Sequence, residues 1–563
     1  MNAIGDLVVR LLDETTKTSV GLFAPELVLS GTIVAMLLCR ILPVLWRVPA
    51  QWIALLGAFT VFALTLVQFD RLVDVWVNVG AYTKNGVIDS FLSACIRPFS
   101  SHIATPFFTG LLMFDQFAAF FRMFLSLFLI LTITLTVLSG IPDREDGPDF
   151  YTLLLGATLG MMIMASANHL LMVFLGVEMA SVPSYALVGF LKGRKKSSEA
   201  ALKYVVYGAG AAGVMLYGIS LLAGLTGTGS LPELANRFSL IVSQGAGIGD
   251  PTVRTILLAS LMVLVGLAFK LSVFPFHFWC PDVFEGAAAE VAGFLSVASK
   301  AGAFALLVRF GLAFSGGSAA VSEIAFALGI GLGVLAAVTA TFGNLSAYGQ
   351  TNIKRMLAYS TIAHAGYMLM AVSALMVMKY SIHGGGAEAT DASLSCIEGL
   401  IYYLFVYLFM NLGAFAIVAL VRNQILSEEI EDYNGLATQC PLLCFGMALC
   451  IFSLIGLPPM GGFFAKLVIF ASVFKATSAH WAMWFVLGAG AINAVFGLFY
   501  YIRILKAMYL KPRPDGARKV SYELMPVGVF VLMLCLPVLG LGILPSRFTE
   551  TFHRVAEVLL TNR

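Results

Sequence analysis

Runs of about twenty apolar residues, each long enough to cross the ~30 Å hydrocarbon layer of a bilayer, recur along the whole chain between short polar connections. They predict fourteen membrane-spanning helices, near 24–44, 50–69, 116–140, 150–167, 169–190, 202–225, 255–278, 290–314, 321–342, 356–378, 398–421, 438–472, 482–509 and 523–545. Three stretches, 204–232, 324–353 and 433–465, hold no Asp, Glu, Lys or Arg at all. The twelfth run is too long for one straight span. It contains Gly456-Leu-Pro-Pro-Met-Gly-Gly462, and two prolines beside three glycines cannot sustain a continuous ladder of helix hydrogen bonds. A helix broken inside the membrane is therefore expected there, within an all-α polytopic membrane protein.

Composition agrees with that pattern and removes other classes. Of 563 residues, 59% are hydrophobic and only 12% charged, against roughly 25% charged in ordinary soluble domains. Soluble, disordered and disulfide-stapled secreted proteins are excluded. The net charge of +3 suggests no nucleic-acid partner. Eight cysteines are scattered without a CxxC pair or a Cys/His array, so neither zinc nor an iron–sulfur cluster is expected. Cys440, Cys444 and Cys450 lie on an apolar run and read as small packing residues. The first residues show no cleavable signal peptide, and the first span is expected to do the targeting.

Orientation follows from where short loops carry Lys and Arg. Lys192, Arg194, Lys195 and Lys196 follow the fifth span, Lys354 and Arg355 the ninth, and Lys511, Arg513, Arg518 and Lys519 the thirteenth. All three loops fall on one side, which is expected to be cytoplasmic, with both termini periplasmic and the segment 70–115 an external excursion. Gly208-Ala-Gly210-Ala-Ala-Gly213 fits a dinucleotide fingerprint only on paper, because no strand precedes it and it lies inside an apolar span; its small residues allow close helix packing. No P-loop, HExxH or nucleophile elbow is present.

The chemistry is carried by ionisable residues inside spans, where a charge costs about 2.5–3.5 kcal/mol on insertion scales. Glu178 sits mid-span with Ser181 at i+3 and Tyr185 at i+7 on its helical face, a polar stripe. Lys270 interrupts an apolar run and is followed by Pro275 and His277; Lys300 stands in the next span, and Lys466 directly follows the Pro/Gly break. Lys203 at the start of the sixth span and Arg309 near the end of the eighth are close enough to a span end to snorkel to the headgroups; Lys203 fits a functional role equally well. His364, with hydroxyl residues one turn away, reads first as a hydrogen-bonded interior histidine and second as a proton carrier. Burial loosens a lysine's hold on its proton while a nearby carboxylate tightens it, so a buried lysine with a glutamate partner is a site whose protonation can be switched.

Several of these strings resemble the antiporter-like membrane subunits of bacterial NADH:quinone oxidoreductase (respiratory complex I), and among them the subunit N family. They are Glu178-Met-Ala-Ser-Val-Pro-Ser-Tyr-Ala-Leu, Ser197-Ser-Glu-Ala-Ala-Leu-Lys203-Tyr, and Phe269-Lys270-Leu-Ser-Val-Phe-Pro-Phe-His277-Phe-Trp-Cys-Pro-Asp282-Val-Phe-Glu-Gly286. Phe294-Leu-Ser-Val-Ala-Ser-Lys300, Asn352-Ile-Lys-Arg-Met-Leu-Ala-Tyr-Ser-Thr-Ile-Ala-His364-Ala-Gly-Tyr367 and Gly456-Leu-Pro-Pro-Met-Gly-Gly-Phe-Phe-Ala-Lys466 belong to the same resemblance, which runs from about residue 115 to 510.

The resemblance implies two inverted five-helix repeats over spans 4–8 and 9–13, each with a broken helix, and hence divisions at 1–149, 150–314, 315–510 and 511–563, the last a basic loop, a final span and a short external tail. It implies a proton-translocating subunit of a hetero-oligomer in the bacterial inner membrane, surrounded by other membrane-arm subunits and lipids. Such a subunit has no cofactor of its own; NAD and quinone are used by partner chains. By the same resemblance Glu178 and Lys270 form a paired charge site, Lys300 is a central relay and Lys466 a far relay, while Lys203 and His277 match further family positions. Extra length at 70–114 and 379–397, and Cys280 where Thr or Ser is expected, depart from the family. A subunit of a multi-chain cation/proton antiporter is the alternative; the 270–286 string favours the oxidoreductase.

Overall fold

A computed structural model of the chain describes residues 12–41, 49–69, 104–143, 146–244, 249–381, 387–520 and 524–561. Its first half runs through α1 (Ala24–Ile41), α2 (Ala50–Gln68), α3 (Gln116–Ser139), α4 (Gly147–Ser166), α5 (Leu170–Val188), α6 (Lys195–Thr226), α7 (Leu231–Gln244), α8 (Pro251–Leu271), α9 (Trp279–Gly286) and α10 (Ala289–Leu312). The second half follows with α11 (Ala319–Ala347), α12 (Ile353–Tyr380), α13 (Ala387–Ile425), α14 (Pro441–Ile455), α15 (Gly461–Ala476), α16 (Ala482–Leu505), α17 (Leu524–Ile543) and α18 (Ser546–Thr561). Among the described residues thirteen helices are individually long and apolar enough to cross a membrane. A fourteenth span is counted where Ile430–Thr438 and Pro441–Ile455 form a pair bent by 119°, and α15 follows it after the 456–460 break in the twelfth run.

Both breaks have local causes. Helix α14 ends at Gly456 with φ +89°, a left-handed position that favours glycine, and Pro458 and Pro459 follow before α15 begins. The half-helices then approach closely: a Cβ on Gly462 would lie 1.9 Å from the Ser453 carbonyl oxygen. Helix α8 stops at Leu271, where Ser272 turns left-handed at φ +58°, and the chain passes Pro275 before the short α9. Each break falls in the fourth span of a set of five, α4–α10 and α11–α16. Five is an odd number of crossings, so the second set runs through the membrane in the opposite sense to the first, which makes the repeats inverted.

Every residue of α10 is buried, and nearly every residue of α12. These two helices are enclosed on all sides, so their sequences show no amphipathic stripe. The three basic loops meet on one face: Lys196 and Arg355 both reach Glu285 at 2.9 Å, Asn352 bridges to Glu429, and Arg513 donates to the Asp432 carbonyl at 2.7 Å. The opposite face carries a hairpin of Thr105–Phe107 and Leu112–Phe114, the described end of the 70–115 excursion; residues 70–103, Met1 and Arg563 lie outside the described residues.

Three features depart from the sequence expectation. Helix α7 was not foreseen, because Pro232 and its many polar positions hide a buried stripe of Leu231, Leu234, Ala235, Phe238 and Val242. Residues 546–561 form an amphipathic helix with Phe552, Val555 and Leu559 buried, where a short external tail was expected. The 379–397 insertion lengthens α13, which begins at Ala387 rather than near 398.

Candidate functional site

Six lysine and arginine side chains are buried among the described residues: Arg122, Lys270, Lys300, Arg309, Lys354 and Lys466. They fall into two groups. Arg122 pairs with Glu26 at 2.6 Å, Arg309 with Asp115 at 2.6 Å, and Lys354 with Glu428 at 2.8 Å. Each of these buried charges has a carboxylate in direct contact, as buried ions normally do. Lys270, Lys300 and Lys466 have none; their ammonium groups are held by neutral oxygens.

Lys270, in the last turn of α8, donates from Nζ to Ser181 Oγ on α5 at 2.9 Å. Glu178, one turn before Ser181, makes no direct ion pair with Lys270, yet each is the charged neighbour whose field acts on the other. The polar stripe of α5 thus faces the end of α8. Lys300, on the enclosed α10, donates to the Leu271 carbonyl at 2.6 Å, and Trp279 Nε1 of α9 donates to the Phe269 carbonyl at 3.0 Å. Carbonyls at the end of α8 therefore receive the Lys300 ammonium and the Trp279 indole from the elements that follow.

The second break repeats the device. Lys466 Nζ donates to the Leu454 and Ile455 carbonyls, at 2.9 and 2.8 Å, and lies 5.0 Å from the centre of the Tyr367 ring, a cation–π distance. Between the two lysine sites, His364 on α12 has Nδ1 at 2.6 Å from Tyr403 Oη and Nε2 at 3.1 Å from Tyr501 Oη. The charges of both Lys466 and Lys300 act on its ring. Tyr501 is in turn hydrogen-bonded to Ser360, and Asn344 connects Tyr367 and Tyr500 at 3.1 Å each. A polar cluster centred on His364 of α12 thus lies between the two lysine sites, reached by the fields of Lys300 on one side and Lys466 on the other.

Two expected residues lie apart from this axis. Lys203 is 39% exposed and bound to Asp282 at 2.7 Å and Glu199 at 2.9 Å, within an ion network towards the basic face. His277 sits in the first break among the rings of Phe274, Phe278 and Phe342, with no hydrogen bond to any of the three lysines. Arg309 does not snorkel, contrary to the sequence expectation. It is wholly buried, gripping Asp115 through both Nη atoms at 2.9 and 2.6 Å, because the Asp115 carboxylate at the start of α3 reaches it inside the protein. Sequence reasoning also passed over Glu26 and Arg122, and read Lys354 only as a residue of a basic loop. The first two interrupt predicted spans and so carried a visible signal, but their pairing is a tertiary fact.

This geometry coincides with a family pattern. Residues 167–497 match the model described as "NADH:quinone oxidoreductase/Mrp antiporter, TM", so the fold and its breaks define an antiporter-like membrane subunit. NADH-quinone oxidoreductase subunit N of Anaeromyxobacter sp. (strain Fw109-5) is 41% identical over 466 residues, covering 79% of this chain and 85% of the relative. Subunit N 2 of Sorangium cellulosum (strain So ce56) is 36% identical, covering 95% and 96%. Among solved structures, a chain of respiratory complex I from Thermus thermophilus with bound aureothin is 28% identical with a TM-score of 0.69, covering 93% of this chain and 98% of that one. The chain belongs to the family of NADH-quinone oxidoreductase subunit N.

Proposed function

We propose that the chain is the proton-translocating subunit N of a NADH-quinone oxidoreductase, working beside other membrane-arm subunits in the bacterial inner membrane, with NADH and quinone handled by partner chains. The observation that carries this reading is the sorting of the buried cations. Those with carboxylates in contact are locked by charge. The three without are all lysines, the cation that can give up its proton, whereas arginine stays protonated. Lys270, Lys300, His364 and Lys466 then form a relay from the end of α8 through the enclosed α10 and α12 to α15, with Glu178 setting the charge at one end. The names of the curated relatives support an oxidoreductase subunit over a cation/proton antiporter subunit.

The test begins with purification in mild detergent. Redox subunits travelling with the chain support this reading, and a set of small antiporter subunits overturns it. In the purified complex, Glu178→Ala and Lys270→Ala are each expected to lower proton pumping by tenfold or more, on the order of the loss of a proton-transfer group. The double variant should lose less than the two effects combined, because residues that act on each other couple by about 0.5–3 kcal/mol. Strict additivity would count against the pair.

We further infer that the basic face is cytoplasmic, which puts both ends of the chain in the periplasm. The contacts that gather 192–196, 354–355 and 511–519 on one face support this. Single cysteines placed in these loops should react only with a membrane-permeant maleimide in intact cells, and labelling by an impermeant one would reverse the assignment.

A further inference from the structure

Between Glu178 and the basic face lie two tyrosines, Tyr185 and Tyr204, buried against each other. Among the described residues neither Tyr185 Oη nor Tyr204 Oη makes a hydrogen bond of normal geometry, although the Ser181 hydroxyl one turn away acts on Tyr185; Tyr204 is 0% exposed and Tyr185 9%. Their rings meet edge to face with centroids 4.7 Å apart. The field of Glu178 acts on both. A buried hydroxyl left unpaired costs about 1–3 kcal/mol, and buried polar groups are almost always hydrogen-bonded, to water where the protein offers nothing. Two such groups lie together at the interface of α5 and α6, where water would supply the partners that the protein does not.

Their order in depth is set by the helices. Helix α5 runs towards the basic face, so Glu178, Ser181 and Tyr185 form successive steps outward. Helix α6 starts at that face and runs inward, passing Lys203 and Tyr204 before Gly208. Tyr185 Oη rests on Gly208, where an added Cβ would stand 2.0 Å from it, so a residue without a side chain is what admits the phenol hydroxyl to this interface. On the outer side the Tyr204 ring stacks on Trp279 of α9 at 4.4 Å. One turn further along α9, Asp282 pairs with Lys203 at the wall of a cavity of about 140 Å³ also lined by Glu199, Glu285 and Arg355.

We propose that Tyr185 and Tyr204, with water between them, carry protons from the charged cavity at the basic face to Glu178. This extends the pumping role proposed above and rests on it. Each phenol accepts a proton at its oxygen from one side as its own O–H proton leaves on the other, so no net charge forms on either ring. Asp282 and Glu199, held by Lys203, supply the outer acceptors from which protons enter, and Ser181 links the inner end to Lys270.

The chemistry of the hydroxyls makes the test clean. Tyr204→Phe removes no hydrogen bond to the described residues and Tyr185→Phe at most a weak one to Ser181, so both variants should leave assembly and thermal stability intact. In the complete complex in inverted membrane vesicles, the double variant is expected to lose NADH-driven proton pumping on the order of tenfold to a hundredfold, with a changed solvent isotope effect. Pumping at the wild-type rate overturns the proposal. A map of the assembled complex provides a second readout that needs no variant: water within hydrogen-bonding distance of both oxygens is expected, and none at either oxygen overturns the proposal. Glu178→Gln separates the two levels of inference. Loss of pumping there with normal pumping in the double Phe variant rejects the tyrosine path alone. Normal pumping in Glu178→Gln rejects the role of Glu178 on which it rests.

Discussion

Replacing Lys466 by methionine is expected to remove most of the proton pumping of the assembled complex, on the order of a hundredfold, as loss of a proton-transfer group does. From the sequence alone the variant should also assemble normally, since a costly charge leaves the membrane. The structure adds an opposing effect. Lys466 Nζ is the donor to two carbonyls at the broken end of α14, and each buried carbonyl left without a donor costs about 1–3 kcal/mol. A measurable fall in thermal stability should therefore accompany the loss of pumping, and the two must be read separately. Lys466→Arg keeps the charge and the donors but cannot release the proton. It is also crowded, because the Lys466 side chain already passes 3.1 Å from where a Cβ on Gly456 would be. Pumping is expected to be lost there too. Full pumping with arginine would make residue 466 a fixed electrostatic element rather than a relay.

Arg309→Met is expected to cause the largest loss of stability, about 3–5 kcal/mol, the usual result of stripping one partner from a buried ion pair. It leaves the Asp115 carboxylate buried without its guanidinium and also removes the Nε bond to the Ala165 carbonyl at 2.5 Å, the tie to α4. The double variant Asp115→Asn/Arg309→Met should recover part of that loss, because no uncompensated charge remains. Thermal unfolding in detergent and the amount of assembled complex measure both. Equal stability of single and double variants would show that the pair's charges are not what holds α3, α4 and α10 together. Pumping per assembled complex should change little, in contrast to Lys466→Met.

Much of the candidate site was legible because charges in apolar runs are rare and costly. Lys270, Lys300 and Lys466 stand out on that ground alone, and all three are buried. The same reasoning misplaced Arg309, which lies near a span end and looked free to reach the headgroups. Distance along the chain from a span end says nothing of what stands beside the side chain, and here Asp115, 194 residues away, stands there. Lys354 was read as part of a basic loop, yet Ala287 and Glu428 enclose it. Helix α7 escaped notice for a related reason. Its buried stripe is short and interleaved with polar residues, and becomes apolar burial because α6, α8 and α11 lie against it.

Hydropathy and the placement of Pro, Gly, Lys and Arg determined the number of spans, the broken twelfth helix and the gathering of basic loops on one side, because each follows from how a short segment meets lipid or water. Pairing was decided only by the tertiary structure. Which buried cations have a carboxylate and which carbonyls of a broken helix receive a lysine depend on groups roughly ten to a few hundred residues apart being brought within about 3 Å. A span's sequence states that a charge must be compensated, and the neighbouring helices supply the atom that compensates it.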